Sequence, residues 1–317
     1  MTIGSIPRRQ GTHVETVQAK TQKVILDAEQ AVRARYTAAA REREPALCCP
    51  VEYDPRHLEV IPAEVLERDY GCGDPSRWVR EGDTVLDLGS GAGKICFIAA
   101  QIAGPKGRVI GIDATEDMLA LARKARHDVA KALGYDNVEF RRGQIQELDL
   151  DLDRLEAWLR EHPVRDVVSL AALEAHKEVL RREAPLVPDA SVDLVVSNCV
   201  LNLVREADKN RLVREIFRVL KVGGRIAISD IVSDEAVPEH LKADPELWSG
   251  CVSGAFQESE LLRVLEAAGF HGIHVEARAE KPFAVVEGIE FRSITVTAQK
   301  GKQDPCVETN HDDGGCC

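Results

Sequence analysis

Thr84-Val85-Leu86-Asp87-Leu88-Gly89-Ser90-Gly91-Ala92-Gly93 begins as a short apolar run of β-formers and then breaks into glycine at every second position. It passes into Lys94-Ile95-Cys96-Phe97-Ile98-Ala99-Ala100, a helix-forming stretch. Strand, glycine turn and helix N-terminus in that order open an α/β unit. Gly89, Gly91 and Gly93 permit positive φ and close approach of a ligand to the main chain. The helix start adds N–H groups that lack intrahelical partners. A nucleotide-like ligand suits such a turn, with Gly89, Ser90, Gly91 and Gly93 as its expected contacts.

The residues around the turn discriminate between nucleotides. A dinucleotide fingerprint needs a further glycine after two intervening residues, to seat the helix beneath a pyrophosphate, and Lys94 holds that place. Asp87 lies inside the strand, where its carboxylate would repel a pyrophosphate and attract a cationic sulfonium with its ammonium group. A second strand, Arg108-Val109-Ile110-Gly111-Ile112-Asp113, ends in an acid at the spacing, about 20 residues on, that lets a carboxylate accept from ribose hydroxyls. Asp113 with Ala114 is therefore expected at the ribose, and the cofactor reads as S-adenosylmethionine. The third strand, Val138 to Arg142, leads into Gln144 and Ile145, which in an open α/β sheet flank the adenine.

Composition narrows the partners. The chain has 317 residues, ample for a core, with 44% hydrophobic and 30% charged residues as in a soluble globular protein. A balance of 41 basic against 53 acidic residues argues against nucleic acid, and 4% aromatics leave few platforms for bases. No stretch has the length of a membrane span. Arg8-Arg9 is followed by no apolar core, so it reads as an exposed basic arm and not an export signal. Nine cysteines without an export signal point to the cytoplasm, where thiols serve as ligands, catalysts or core filler.

Around the turn the chain divides into an N-terminal arm and helix (1–47), a main domain (48–299) and a Cys-containing tail (300–317) whose composition predicts disorder. Thr12 to Arg43 has a helical apolar stripe. Thr115 is expected to cap a helix over Glu116 to Leu133, stopped by Gly134. Residues 147–190 interrupt the βα rhythm with two amphipathic helices, a lid or a dimer surface, in which His162 and His176 look isolated. A fourth strand, Val192 to Ser197, leads into Asn198-Cys199-Val200-Leu201-Asn202-Leu203 on the same sheet edge as the glycine turn. A helix over Asp208 to Leu220 and a strand from Arg225 to Asp230 follow. Glu258 to Ala268 then reads as helix, and His274 to Ala279 and Phe291 to Ala298 as an antiparallel finish.

The cysteines sort by surroundings. Cys72 sits between two glycines, and Cys199 and Cys251 sit in turns among small or amide residues, settings for chemistry more than for packing. Cys96, on a helix, reads as core filler. Cys48 and Cys49 are adjacent and could close on each other only through a strained ring. No Cys-x-x-Cys pair suggests structural zinc.

Taken together, Asp69-Tyr70-Gly71-Cys72-Gly73, Val85-Leu86-Asp87-Leu88-Gly89-Ser90-Gly91, Ser197-Asn198-Cys199-Val200-Leu201-Asn202-Leu203 and Leu247-Trp248-Ser249-Gly250-Cys251-Val252-Ser253-Gly254-Ala255 resemble the arsenite S-adenosylmethionine methyltransferases, from about Cys48 to Phe270. The resemblance implies an α/β fold, a seven-stranded, mostly parallel, doubly wound class I methyltransferase sheet. Here it would carry an N-terminal helical extension and a two-helix insertion. It implies trivalent arsenic, inorganic or organic, held by Cys72, Cys199 and Cys251 beside the cofactor, with Asn198 at the cofactor. It also implies a disulfide relay through Cys48 or Cys49, reset by a thiol reductant such as thioredoxin or glutathione, in arsenic detoxification. Arsenic(III) is soft and thiophilic, which is why thiolates suit it. Competing readings are a methyltransferase for another metalloid or a small organic molecule, or a non-catalytic metalloid-binding thiol protein. The oligomeric state is not fixed by the sequence.

Overall fold

Central strands of a parallel sheet are covered on both faces, so they read as nearly continuous apolar runs. In the computed structural model, which describes residues 30–42, 44, 51–68 and 70–301, these runs become β1 (Thr84–Leu88), β2 (Arg108–Asp113), β3 (Val138–Arg142) and β4 (Val192–Asn198). Beyond them lie β5 (Leu220–Ser233), β6 (Phe256–Gln257), β7 (Phe270–Arg278), β8 (Ala284–Val286) and β9 (Ile289–Lys300). The main path runs β3-β2-β1-β4-β5-β9-β7, with β6 paired to β5 and β8 to β9, so the sheet has nine strands. The expected seven form the main path; β6 and β8 are pairings too short to show a period in sequence. The β1, β2, β3, β4 and β5 pairings are parallel, and β9 is antiparallel to β5 and β7.

Alternation along each strand divides two cores. Val85 belongs to the one that also contains Val109, Phe97 and Met118. Leu86 and Leu88 belong to the other, with Ile110, Ile112, Val195 and Ile226. Burying one such side chain stabilises the fold by about 2 kcal/mol.

The helices are α1 (30–41), α2 (Pro55–Leu58), α3 (Ala63–Glu67), α4 (Lys94–Ala103), α5 (Glu116–Leu133), α6 (Leu152–Glu161) and α7 (Val167–Glu183). After them come α8 (Glu206–Val219), α9 (Glu239–Lys242), α10 (Pro245–Ser249) and α11 (Glu258–Ala267). Gly134 stops α5 in the left-handed conformation, φ 79°. Thr115 holds the N-cap position of α5, but its side chain makes no capping bond. Its backbone N–H is instead taken by the Asp113 carboxylate at 2.7 Å, because that acid lies two residues upstream at the strand end. The part of the expected N-terminal helix before Gln30 lies outside the described residues, as do Cys48, Cys49 and the tail beyond Gly301.

The insertion is the expected helix pair. Asp151 caps α6 and a reciprocal Asp166–Ser169 box caps α7. His162 and His176, isolated in sequence, are packing residues: both stack on Trp158, each with ring centroids 4.5 Å away, and so join the two helices. None of the helices among the described residues is long and apolar enough to cross a membrane.

Candidate active site

The chain runs outward from β1 to β3 in one direction and from β4 to β5 in the other, so β1 and β4 flank the point where the order reverses. Loops leaving the carboxyl ends of two such strands diverge and leave a crevice. A cavity of about 500 Å³ occupies that crevice. Gly89, Ser90, Gly91, Asp87, Asp113, Ala114, Gln144, Ile145, Asn198 and Cys199 all line it.

The glycine turn is shaped by β2 as much as by its own sequence. Gly89 and Ser90 N–H both donate to Ile112 O, at 2.8 and 2.9 Å. Gly91 N–H donates to Asp113 Oδ2 at 2.9 Å. Gly91 has φ +51° with nothing within 4 Å of where a Cβ would stand, so its backbone borders open space. Gly93 serves packing: a Cβ there would meet Phe140 Cζ at 2.7 Å, and Gly93 does not border the cavity. Its place in an alternating glycine pattern suggested a ligand contact, but the turn rotates it under α4 as the N-cap, φ 94°.

This arrangement does not fit a pyrophosphate. The N–H groups that would cradle phosphate are taken by Ile112 O and Asp113, and Asp87, 2% exposed, adds negative charge beneath them. It does fit an adenosyl group carrying a sulfonium. Acids line the crevice, Ile145 and Met118 offer apolar walls, and the buried Ser90 hydroxyl has no partner. Cys96 is more than filler, since its thiol donates to Asp87 Oδ2 at 3.1 Å. Burial, and then the charge of Asp87, pushes that thiol well up.

Asn198 has a role the sequence did not reveal. Its Oδ1 accepts from Cys72 N–H at 2.8 Å and Gly73 N–H at 3.2 Å, and its Nδ2 donates to Gly73 O at 2.8 Å. It clasps the Cys72 loop to the end of β4, and the clasp requires glycine at Gly71, where a Cβ would fall 2.1 Å from Asn198 Nδ2. Asn202, wholly buried, makes the equivalent tie on the other side, donating to Ile231 O at 2.7 Å and Cys251 O at 3.2 Å. Asp230 accepts from Leu201 N–H and Ile231 N–H, both at 2.8 Å, and holds the turn after Cys199. Burial outweighs those bonds and pushes the Asp230 carboxyl up to about 7.

These ties bring together three loops far apart in sequence. Cys72, Cys199 and Cys251 form one buried cluster with Ile231, Val252 and Phe291. Cys199 borders the cavity, and Cys72 and Cys251 lie behind it. Cys199 and Cys251 have left-handed backbones, φ 62° and 61°, conformations that cost a β-carbon-bearing residue about 1–2 kcal/mol each. The Cys251 thiol donates to Cys199 O at 3.3 Å. The adjacent Cys251 and Cys72 thiols, and then burial, hold the Cys199 thiol well above the ordinary range. Burial likewise raises Cys72. Among the described residues no three His, Cys, Asp or Glu side chains are disposed to hold a metal ion. The three thiols are thus gathered in one buried cluster, with the Cys251 thiol turned toward the Cys199 carbonyl.

Sequence patterns did not identify Tyr36, Arg33, Met118, Val200 or Leu203, all of which line the cavity. Val200 and Leu203 lie in the turn after β4 but carry no polar group to flag them, Met118 belongs to α5, and α1 reaches the site only through tertiary packing.

Comparison with known proteins bears on the family and the fold. A methyltransferase-domain family model matches residues 80–182 and 173–269. The arsenite methyltransferase of Halobacterium salinarum is 36% identical over 251 residues, 76% of this chain and 53% of that protein. The human arsenite methyltransferase is 33% identical over 222 residues, 68% of this chain and 50% of that protein. The chain thus spans about half the length of the curated relatives it matches. The crystal structure of CrArsM, an arsenic(III) S-adenosylmethionine methyltransferase from Chlamydomonas reinhardtii, superposes with a TM-score of 0.62 at 30% identity, covering 82% of this chain and 75% of that one. With the crevice, the acids and the gathered thiols already in place, these likenesses put the chain in the methyltransferase-domain family, among the arsenite S-adenosylmethionine methyltransferases.

Proposed function

We propose that this protein methylates trivalent arsenic bound to Cys72, Cys199 and Cys251, using S-adenosylmethionine. The convergence of three thiols from separate loops, one of them bordering the crevice, carries the proposal. Bound in the crevice, S-adenosylmethionine supplies an electrophilic methyl group on a sulfonium. Asp87 and Asp113 set the negative potential and the ribose contacts that orient it.

Protonated thiols do not obstruct capture of arsenite. Arsenous acid brings its own hydroxides, so each S–As bond that forms releases one water from one thiol proton and one hydroxide. Three sulfurs then hold arsenic as a pyramid with its lone pair free, and that lone pair attacks the methyl carbon. No general base is needed; the protein's part is positioning and exclusion of water. Transfer formally oxidises arsenic by two electrons. Two protein thiols closing a disulfide return it to the trivalent state, and an external dithiol or glutathione system reduces the disulfide. Cys48 or Cys49, outside the described residues, is the proposed relay partner of Cys72.

The test is transfer of labelled methyl from S-adenosylmethionine to arsenite with a thiol reductant, followed by product speciation. Cys199→Ser and Cys251→Ser are each expected to abolish transfer while cofactor affinity stays within a few-fold. Full activity in either variant, or wild-type protein that binds cofactor and makes no methylarsenical, rejects the assignment.

A further inference from the structure

Helix α1 is pinned against the thiol site at its middle and its C-terminal end. At mid-helix Arg35 donates to Ser249 Oγ at 3.2 Å and to Glu246 O at 3.5 Å, on α10. Toward its end Ala39 O accepts from Tyr70 Oη at 2.9 Å, and Arg68 donates to Arg41 O at 2.9 Å. The Tyr36 and Tyr70 rings meet edge to face with centroids 6.3 Å apart. So held, Tyr36 borders the cavity and its Oη stands 3.7 Å from Cys251 Sγ.

The direction of that contact follows from its neighbours. The Cys251 S–H points at Cys199 O, which leaves the sulfur lone pairs for the phenol O–H. Burial, and then the adjacent Cys251 and Cys199, raise the Tyr36 phenol well above its ordinary range.

We propose that Tyr36 donates a hydrogen bond to the Cys251 sulfur and thereby assists its exchange of a proton for arsenic, which makes α1 part of the substrate site. This inference rests on the arsenic reading above. In the exchange one As–O bond breaks and one S–As bond forms. The Cys251 proton leaves with the hydroxide as water, Tyr36 keeps its own proton, and no oxidation state changes. A sulfur taking on thiolate character is where a charge-assisted hydrogen bond is strongest.

Tyr36→Phe in the full, reduced chain removes the oxygen and little else. The rate of arsenite capture is followed by stopped-flow tryptophan fluorescence from pH 6 to 9, Trp248 being hydrogen-bonded through its carbonyl to Cys251 N–H. The variant is expected to capture arsenite about ten-fold more slowly at neutral pH, with its rate profile displaced to higher pH and cofactor affinity within two-fold. An unchanged rate and profile overturns the proposal. So does a slowing that comes with an equal loss of cofactor affinity and no displacement in pH, which marks Tyr36 as packing only. Wild-type protein that captures no arsenite removes the arsenic reading, and this inference with it. Independently of whether the variant folds, the wild-type chain labelled with fluorotyrosine has four tyrosines to report. Arsenite is expected to shift the Tyr36 fluorine line, and an unchanged spectrum overturns the proposal.

Discussion

At the residue scale, the sulfur positions depend on backbone conformations that cysteine does not prefer. Cys199 and Cys251 sit at φ 62° and 61°, held there by Asp230 at the next turn and by Asn202 across the two loops. A site that must present two thiols toward one point gains orientation from this strain. Glycine relieves it, whereas in a helix glycine is worse than alanine by about 1 kcal/mol. Cys199→Gly and Cys251→Gly are therefore expected to be more stable than the matching Ala variants, by about 1 kcal/mol. At Cys96, inside α4, the order reverses. Urea denaturation of the six variants checks this, and an Ala variant as stable as its Gly counterpart at both loop positions would show that the left-handed backbones carry no strain.

At the element scale, the turn between β1 and α4 separates two uses of glycine. Gly91 borders the crevice with room for a side chain, whereas Gly93 lies against Phe140 and Phe97. Gly91→Ala is expected to cost about 1 kcal/mol of stability for its left-handed backbone and to weaken S-adenosylmethionine binding at least ten-fold, because the methyl enters the cofactor's space. Gly93→Ala carries the same backbone cost plus overpacking of about 1–3 kcal/mol, with a smaller change in cofactor affinity for the protein that remains folded. Calorimetric titration and thermal unfolding of both variants measure the two effects; an equal pattern in both would refute the separation. The glycine spacing was legible in the sequence. Which glycine meets the ligand was not, since that depends on how β2 and β3 place Asp113 and Phe140 beneath the turn.

At the scale of the whole molecule, the thiol site imposes a pH dependence on stability. Asp230 is 2% exposed and its carboxyl titrates near 7, against 3.8 when unfolded. Between those values the folded chain holds a proton the unfolded chain has lost, so stability falls as pH rises through that window and levels off above it. From pH 5 to pH 7 this group is expected to lower wild-type stability relative to Asp230→Asn by about 2 kcal/mol. Urea denaturation of both proteins at pH 5, 7 and 8 tests it, and a difference independent of pH refutes it. The two-helix insertion is tied into the same body. Glu147 accepts from Arg181 of α7, and from Arg211 of α8 at 2.9 Å. Burial alone would raise the Glu147 carboxyl, but those bonds outweigh it and hold it below the usual range.

The sequence by itself determined the order of the seven main-path strands and the longer helices, the crevice at Gly89, Gly91 and Asp113, and the types of residue on its rim. Those features are local: apolar period, glycine at a forced turn, acid at a strand end. It also singled out Cys72, Cys199 and Cys251 as loop thiols, because their neighbours are small or amide residues. Only the tertiary structure decided that the three share one cluster, that Asn198 and Asn202 align their loops, that Cys96 serves Asp87 and that Tyr36 reaches Cys251. Apart from the Cys96–Asp87 bond, each of these contacts joins segments separated by a strand crossing or a helix packing, and no local periodicity encodes the distance between side chains that only the assembled sheet brings together.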